Sequence, residues 1–591
     1  MWLCFVLACQ NQKMPNQQDS TIESQDSGMD SGITTDPILD ADSDGFSLAD
    51  GDCDDTNPDL HPEAIEECDG IDNDCDGIID PQSTFFLDMD GDGFGFVEFS
   101  SCQQPPGYST EGGDCNDEDA SIHPAAIDQC GDDIDQDCDG VVNNEECFYS
   151  VNDAPVKFFS DPTYPMGVGG VLMDSSGDGV FDFIANAPSS LPSDGVERTI
   201  NIFHGPFGAE QSTLDAVHRI SLSSFDANGG ASLISTDFNG DGQEDLIIAS
   251  EKNNYGGSNA GAVYLVLGPI ADSLSLENEF DSRWAGLEGS LAGYSVASLG
   301  DVNSDGLSDL VIGAYKYEGA AVNGGAAYII FGSTEREDIS LSEADVILLG
   351  GSDENLGYEV ASAGDLNGDG ILDLAVNAYR FDTTKRNAGR TFVFFGPIDS
   401  SLTLEQADIR IDGYEEVSQL GSTLAPLLDF DGDGIDDLLV ASQFGEVDDT
   451  SLIEDEGVAF LLVGLEAGDI SLLDAQAKIV GEYQNENFGR EAVSLGDVNN
   501  DGFGDMIISS KRYGVEHPEQ GRSSVFLGPL EGTFTSGQGV ALLHGPYDYA
   551  WTGIVMDVEE TEEGSQLMMG SREPYESTYL GVNYLLSVDF F

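Results

Sequence analysis

Six stretches of the chain repeat the pattern D-x-(D/N/S)-x-D-G-x-x-D. They comprise Asp174, Ser176, Asp178 and Asp182; Asp237, Asn239, Asp241 and Asp245; Asp301, Asn303, Asp305 and Asp309; Asp365, Asn367, Asp369 and Asp373; Asp429, Asp431, Asp433 and Asp437; and Asp497, Asn499, Asp501 and Asp505. Their first residues are 63, 64, 64, 64 and 68 positions apart, a register that chance does not produce. Side-chain oxygens at positions 1, 3, 5 and 9, with a carbonyl from position 7, can wrap a hard cation, and the glycine at position 6 permits the sharp turn. A cation of calcium's size takes six to eight oxygens at about 2.4 Å, which such a loop supplies. The plainer reading of any single loop is an acidic turn that holds no ion.

The same pattern occurs nearer the N-terminus in Asp72, Asp74, Asp76 and Asp80, and again in Asp135, Asp137, Asp139 and Asn143. Asp40, Asp42 and Asp44 before Gly45, and Asp88, Asp90 and Asp92 before Gly93, begin it without a clear last ligand. The expected load is calcium, with about six ions in the C-terminal repeats and about two to four in the N-terminal ones.

The elements that must position these loops follow from their surroundings. A glycine-bearing strand-like run precedes each C-terminal loop, as in residues 356–364, and an apolar run such as 310–314 follows it. A third run ends in glycine, as in 263–269, and a fourth is short, as in 346–350. Four strands per roughly 64 residues without a helical period describe a propeller blade. A seventh unit occupies 551–557 and 566–571, but its loop from Asp557 to Gly564 places Thr561 at position 5. It is expected to bind no ion or to bind weakly, unless Glu559 or Glu562 serves in another geometry. That last unit lacks a fourth strand, whereas residues 156–160 stand ahead of the first loop where a fourth strand belongs. The N-terminal strand is therefore expected to complete the last blade, which removes exposed sheet edges. The fold class is all-β: a seven-bladed β-propeller over 154–591, preceded by a small Cys/Asp-rich region stabilised by disulfides and calcium.

That small region, 40–147, is duplicated. Gly51-Asp52-Cys53-Asp54-Asp55, His61-Pro62, Cys68 and Asp72-Asn73-Asp74-Cys75 recur as Gly113-Asp114-Cys115-Asn116-Asp117, His123-Pro124, Cys130 and Asp135-Gln136-Asp137-Cys138. Cys53, Cys68, Cys75, Cys102, Cys115, Cys130, Cys138 and Cys147 form an even set, which fits a disulfide framework in an oxidising compartment. Zinc is disfavoured because the cysteines do not form two close CxxC pairs. His61 and His123 occupy equivalent turn-like places and read as packing residues rather than copper or zinc ligands.

Two resemblances rest on these residues. The segment Cys68-Asp69-Gly70-Ile71-Asp72-Asn73-Asp74-Cys75-Asp76-Gly77 is similar to the metal-binding-motif repeats of bacterial secreted and surface proteins, and more distantly to thrombospondin type 3 repeats. The second copy departs at Gly131-Asp132-Asp133, which adds a residue. In the C-terminal region, Phe488-Gly489, Leu356-Gly357, Leu420-Gly421, Gly293-Tyr294 and Met166-Gly167, with Gly313-Ala314-Tyr315, Asn377-Ala378-Tyr379 and Asn186-Ala187-Pro188, resemble the FG-GAP repeats of the integrin α-subunit head. That resemblance implies a calcium-stabilised propeller used in adhesion or extracellular recognition, and it supplies no ligand.

Composition bounds the rest. Asp and Glu number 112 against 19 Lys and Arg, a formal net charge of −93, which repels nucleic acid and anionic membranes. Residues 1–9 carry a short apolar run ending in Val6-Leu7-Ala8-Cys9, similar to a bacterial lipoprotein signal with Cys9 as the lipidated residue, although no basic residue precedes the run. Residues 10–39 have little to bury and read as a flexible tether. No apolar run reaches membrane-spanning length, so contact with a membrane is expected only through the lipid anchor. The histidines, including His204, His218, His517 and His544, fall in no nucleophile-elbow, HExxH or Cys-His setting. His204 and His544 read as strand-end residues.

The chain is therefore expected not to be an enzyme. Its expected role is a calcium-binding surface protein for adhesion or recognition of an extracellular protein or glycan, secreted or held as an outer-membrane lipoprotein of a bacterium. A purely structural matrix protein and a polysaccharide-degrading enzyme are the alternatives. Tyr255, Tyr315, Tyr379 and Tyr513, which follow second strands, either share one face for a ligand or pack between blades.

Overall fold

The apolar run after each acidic loop becomes a strand: Asp182–Ala185, Asp245–Ser250, Asp309–Ala314, Asp373–Ala378, Asp437–Ser442 and Asp505–Ser510. The last five are six residues long and buried at every position. They read as unbroken apolar runs rather than alternating ones because both faces of the sheet are covered. This computed structural model describes residues 40–587 except 65–67, 80–82, 118, 125, 127–133, 137, 139–147, 152–153, 162–165, 168, 188–197, 223–231, 320, 337, 414–417, 446–455, 515–517, 562–563 and 576–577. Asp80, Cys130, Asp137, Asp139, Asn143, Cys147, Glu562 and Cys9 lie outside the described residues. The chain divides into two compact units, Met1–Ala120 and Ser121–Phe591.

The second unit is all-β and contains seven sheets in chain order. In the third, Val296–Gly300, Asp309–Ala314, Ala326–Ile330 and Val346–Leu349 pair antiparallel in sequence. The other six repeat this meander and add a fifth strand parallel to the fourth, such as Asp338–Ser340 on the second sheet and Gly468–Ile470 on the fourth. This fifth strand was not anticipated from the four-strand period. A partial signal is a Ser or Thr at the N-cap of a one-turn 3-10 helix, at Ser212, Ser340 and Ser471 where a fifth strand ends and at Thr403 without one; Leu follows the cap in all but Ser212, which precedes Thr213. Phe148–Ser150 likewise adds to the sixth sheet beside Ala541–His544.

The seventh sheet is built from both ends of the unit, as the complementary missing and extra strands required. Val156–Phe159 pairs antiparallel with Thr578–Ser587, with Phe158 opposite Asn583. The first strands of consecutive sheets touch, and Met556–Thr561 of the seventh touches Gly170–Met173 of the first. Two hydrogen bonds reinforce that junction. Asn583 Oδ1 accepts from the Gly169 N–H at 2.6 Å, and Asp557 Oδ2 accepts from the Leu172 N–H at 2.9 Å. Apolar clusters lie between neighbouring sheets, such as the one joining Val311 and Ile329 of the third to Val376 and Phe392 of the fourth.

Among its described residues the first unit has little core, and their regular structure is one sheet of Ser83–Leu87, Val97–Ser101 and Tyr108–Ser109. Cys53 is bonded to Cys75 and Cys68 to Cys102; Cys115 of this unit is disulfide-bonded too, as is Cys138 of the second unit. Small domains with so few large buried residues depend on such staples. Among the described residues, no helix is long and apolar enough to cross a membrane.

Candidate metal centres

The six loops of the sheet unit share one hydrogen bond, and five of them share a second. The N–H of position 7 donates to the position-5 carboxylate at 2.9–3.0 Å in every loop. In five of them the glycine N–H at position 6 donates to the position-1 carboxylate at 2.7–2.9 Å. The glycine takes a positive φ each time, as at Gly306 (93°) and Gly370 (87°), which other residues adopt only with strain. The fifth loop differs. Asp429, Asp431 and Asp433 converge with carboxylate oxygens within 4.8 Å of one another, and a buried Asp429 oxygen has no hydrogen-bond partner.

Position 9 behaves differently from the other expected ligands. Asp245, Asp309, Asp373, Asp437 and Asp505 are all at most 1% exposed. In each, one oxygen accepts the N–H of position 2 at 2.8–3.1 Å. Except in Asp437, the other accepts a glycine N–H beyond the third strand at 2.8–2.9 Å. Asp182 makes the equivalent bonds to Ser175 Oγ and the Gly205 N–H. These carboxylates tie the loop to its sheet. Burial pushes Asp245, Asp309 and Asp505 up to about 6, and Asp373 and Asp437 up to about 7. The seventh sheet has a hairpin in place of such a loop, with Thr561 opposite Gly564.

In the first unit the acidic turns recur with the same internal bonds, as from the Gly77 N–H to Asp72 at 3.0 Å and the Ile78 N–H to Asp76 at 2.7 Å. Three turns bring their carboxylates within 4.8 Å: Asp40 with Asp42 and Asp44, Asp72 with Asp74 and Asp76, and Asp88 with Asp90 and Asp92. A fourth group, Asp90 with Asp114 and Asp117, was not foreseen. The second D-C-x-D segment folds onto the Asp88 turn, where Asp117 accepts the Met89 N–H at 2.8 Å. The first copy does the same, with Asp55 accepting the Ala41 N–H at 3.1 Å. The signal was present in the duplicated order of the two motifs, which implied that each partial turn has its own D-C-x-D partner.

These clusters can coordinate a metal ion. Asp42, Asp44, Asp52, Asp90, Asp92 and Asp114 each bury a carboxylate oxygen that no protein donor reaches. Such an oxygen is costly unless a cation or proton satisfies it. Burial, with Asp92, Asp90 and Asp117 adding, holds the Asp114 carboxyl above its usual range.

The remaining candidates pack. The His61 ring stacks on Phe46 at 5.1 Å. His544 is half-buried with Nδ1 3.0 Å from the Gln520 amide, and desolvation pushes it down to about 4. Tyr315 and Tyr379 meet in a cluster with Tyr294 and Tyr358. Tyr255 instead stacks on Arg283 at 3.4 Å, and Tyr513 on Arg522 at 3.9 Å. Two of the four tyrosines therefore share a site, and two do not join it.

Comparison with known proteins adds to this geometry. Residues 52–81 and 114–144 match the family described as "Putative metal-binding motif", and 229–266, 292–330 and 356–394 match the FG-GAP repeat. Integrin alpha-V of Gallus gallus is 29% identical over 39% of this chain and 21% of its own length. Phosphatidylinositol-glycan-specific phospholipase D of Rattus norvegicus is 30% identical over 32% and 24%. Integrin alpha-7 of Rattus norvegicus is 38% identical over 25% and 12%. The chain thus spans a quarter or less of the length of these relatives. A solved structure of BBS1N in complex with ARL6DN, soaked with lead, superposes with a TM-score of 0.39 at 10% identity, covering 73% of this chain and 96% of that one. The sheet unit is homologous to the FG-GAP repeats of integrin α chains, and the N-terminal repeats match a separate metal-binding pattern.

Proposed function

We propose that residues 154–591 form a seven-bladed, calcium-loaded β-propeller, and that the chain is an extracellular recognition or adhesion protein rather than an enzyme. The observation that carries this reading is the six-fold recurrence of one acidic loop, each with the same bond from position 7 to position 5, in a set of sheets whose last member is completed by Val156–Phe159. Positions 1, 3 and 5 of each loop, with the position-7 carbonyl, are the proposed ligands. The position-9 aspartate contributes what its two structural hydrogen bonds leave free. Relatedness to integrin α chains supports the non-enzymatic role. The cell exterior suits both the disulfides and the demand for calcium. Cys9 is the proposed lipid anchor, and a protein or glycan outside the cell is the proposed partner.

A calcium titration of the full chain followed by thermal melts tests the metal assignment. About six ions in the sheet unit, about two to four more in the N-terminal unit, and a raised melting temperature are expected. Two ions or fewer with unchanged stability would overturn it. A glycan array and a surface-protein pull-down, each with and without calcium, test recognition. Binding by the folded protein is expected, and its absence from both would leave a structural matrix role.

A further inference from the structure

Position 8 of the acidic loop is not among the expected ligands, and its residue type varies: Phe181, Glu244, Ser308, Leu372, Asp436 and Gly504. In three loops it performs one task nonetheless. Glu244 of the second loop reaches across to the first, where its Oε2 accepts the Asp174 N–H at 2.8 Å. Asp436 of the fifth loop reaches the fourth, where its Oδ2 accepts the Asp365 N–H at 2.9 Å. The Gly504 N–H of the sixth loop donates to the Asp429 carbonyl of the fifth at 3.0 Å. Asp174, Asp365 and Asp429 all stand at position 1, so the start of one loop is held by the loop that follows it.

The two side-chain bonds span 70 and 71 residues, so they belong to no local turn. They join loops on neighbouring sheets. The backbone makes room for one of them: Gly364 precedes Asp365 at a φ of 82°, and a Cβ there would stand 2.7 Å from the Asp436 Cβ. Crowding carboxylates costs Coulomb energy in a chain of net charge −93, and freely exposed ones would turn away. Glu244 and Asp436 instead lie half-buried against the neighbouring loop.

The other two neighbouring pairs lack the bond. Leu307 of the third loop packs on Gly240 of the second, and Leu372 of the fourth packs on Gly300, the residue before Asp301. Among the described residues, position 8 of the third or fourth loop makes no hydrogen bond to the loop before it. The loops therefore fall into three groups: the first with the second, the third alone, and the fourth to sixth.

Such bonds carry energy between sites. Once residue 7 is engaged as a ligand and residue 9 is fastened to its sheet, the residue between them has little freedom left. Its carboxylate then presents a fixed acceptor to position 1 of the preceding loop, which lowers the ordering cost of that loop's own ion site. Coupling of this kind is reciprocal and typically amounts to about 5- to 150-fold in affinity.

We propose that Glu244 and Asp436 are positioning residues that couple neighbouring calcium sites, so that the first and second loops fill cooperatively, the fourth to sixth fill as a second group, and the third fills independently. The proposal rests on the calcium reading given above and adds an order of filling to it. The test is amide hydrogen exchange of the full chain over a series of free calcium concentrations, which gives each loop its own midpoint. Asp241→Ala removes the proposed position-5 ligand of the second loop and should raise the midpoint of the first at least about fivefold. The midpoint of the third should stay where it is. Glu244→Ala should also raise the first loop's midpoint, and adding Asp241→Ala to it should change that midpoint no further. Glu244→Gln keeps an acceptor and should restore the wild-type midpoint. Asp433→Ala and Asp436→Ala should act on the fourth loop in the same way, and unchanged melts in chelator should show that all variants are folded. An unmoved first loop in Asp241→Ala, an equal shift of all six loops in Glu244→Ala, or a full effect of Asp241→Ala on the Glu244→Ala background would each overturn the proposal. Calcium protection of every loop without coupling would sink the proposal and leave the calcium reading standing. No protection of any loop would sink both.

Discussion

The chain writes the same acidic turn in two settings. In the sheet unit, the turn is a hairpin between two strands that are already paired, and a buried aspartate fastens it to the sheet floor. Asp309, for example, accepts backbone N–H groups from Val302 and Gly332. In the N-terminal unit, the turns meet the D-C-x-D segments directly, and the framework described beside them is disulfides and a three-stranded sheet. One motif therefore has two energetic roles. On the proposed reading, an ion would decorate a fold in the first case and would substitute for a core in the second.

The strongest way to break this comparison is to remove ions and disulfides together. In the full chain, chelator plus reductant should cut amide-exchange protection in residues 83–109 at least about a hundredfold while leaving 309–314 protected. Equal loss in both units would show that the sheets also depend on their ions for existence. The next largest effect separates fastening from coordination. Asp309→Ala leaves two buried N–H groups without an acceptor and should cost about 2–5 kcal/mol with or without calcium. Asn303→Ala should cost less than about 1 kcal/mol in chelator, and its effect should appear mainly as weaker calcium binding. Denaturant melts in both conditions separate the two.

The pH dependence sharpens the same distinction. Asp245, Asp309, Asp373, Asp437 and Asp505 titrate at about 6 to 7 in the folded state, above the unfolded carboxylate range. Their contribution to stability is complete below about pH 4 and is lost as pH rises through 6 to 7. In chelator the sheet unit should therefore melt at a lower temperature at pH 8 than at pH 5, and calcium should narrow the difference. A melting temperature that rises from pH 5 to pH 8 in chelator would contradict this. The smallest effect is His61→Ala, which removes the stack on Phe46 and should cost about 0.5–1.5 kcal/mol without changing metal content.

Much of this was legible in the sequence because a period exposes itself. The loops, their strands and the completion of the last sheet by residues near 156 all follow from a unit repeated at about 64 positions. What stayed hidden involved pairings between segments that no periodicity ties together. The fifth strands are only two to four residues long, too short for a hydrophobic pattern, and the Ser cap at the end of three of them is a weak signal. Asp114 and Asp117 looked like part of a cysteine motif because their partner, Asp90, lies more than twenty residues away. Position 9 was read as a ligand alone, since a sequence cannot show that its carboxylate also accepts backbone hydrogen bonds.

The pairing of Val156–Phe159 with Thr578–Ser587 bears on how the protein is made. The partner of Phe158 is Asn583, more than four hundred residues later in the chain. At a synthesis rate of about 5–20 residues per second, the first strand waits roughly 20–80 s for it. Throughout that interval a nascent chain carries an unmatched strand at one end and an unfinished sheet at the other, both prone to stick to neighbouring molecules. The order of synthesis thus makes the last strand the step that ends this exposure, and a chain cut a dozen residues short should accumulate as aggregate although nearly every loop and sheet has been made.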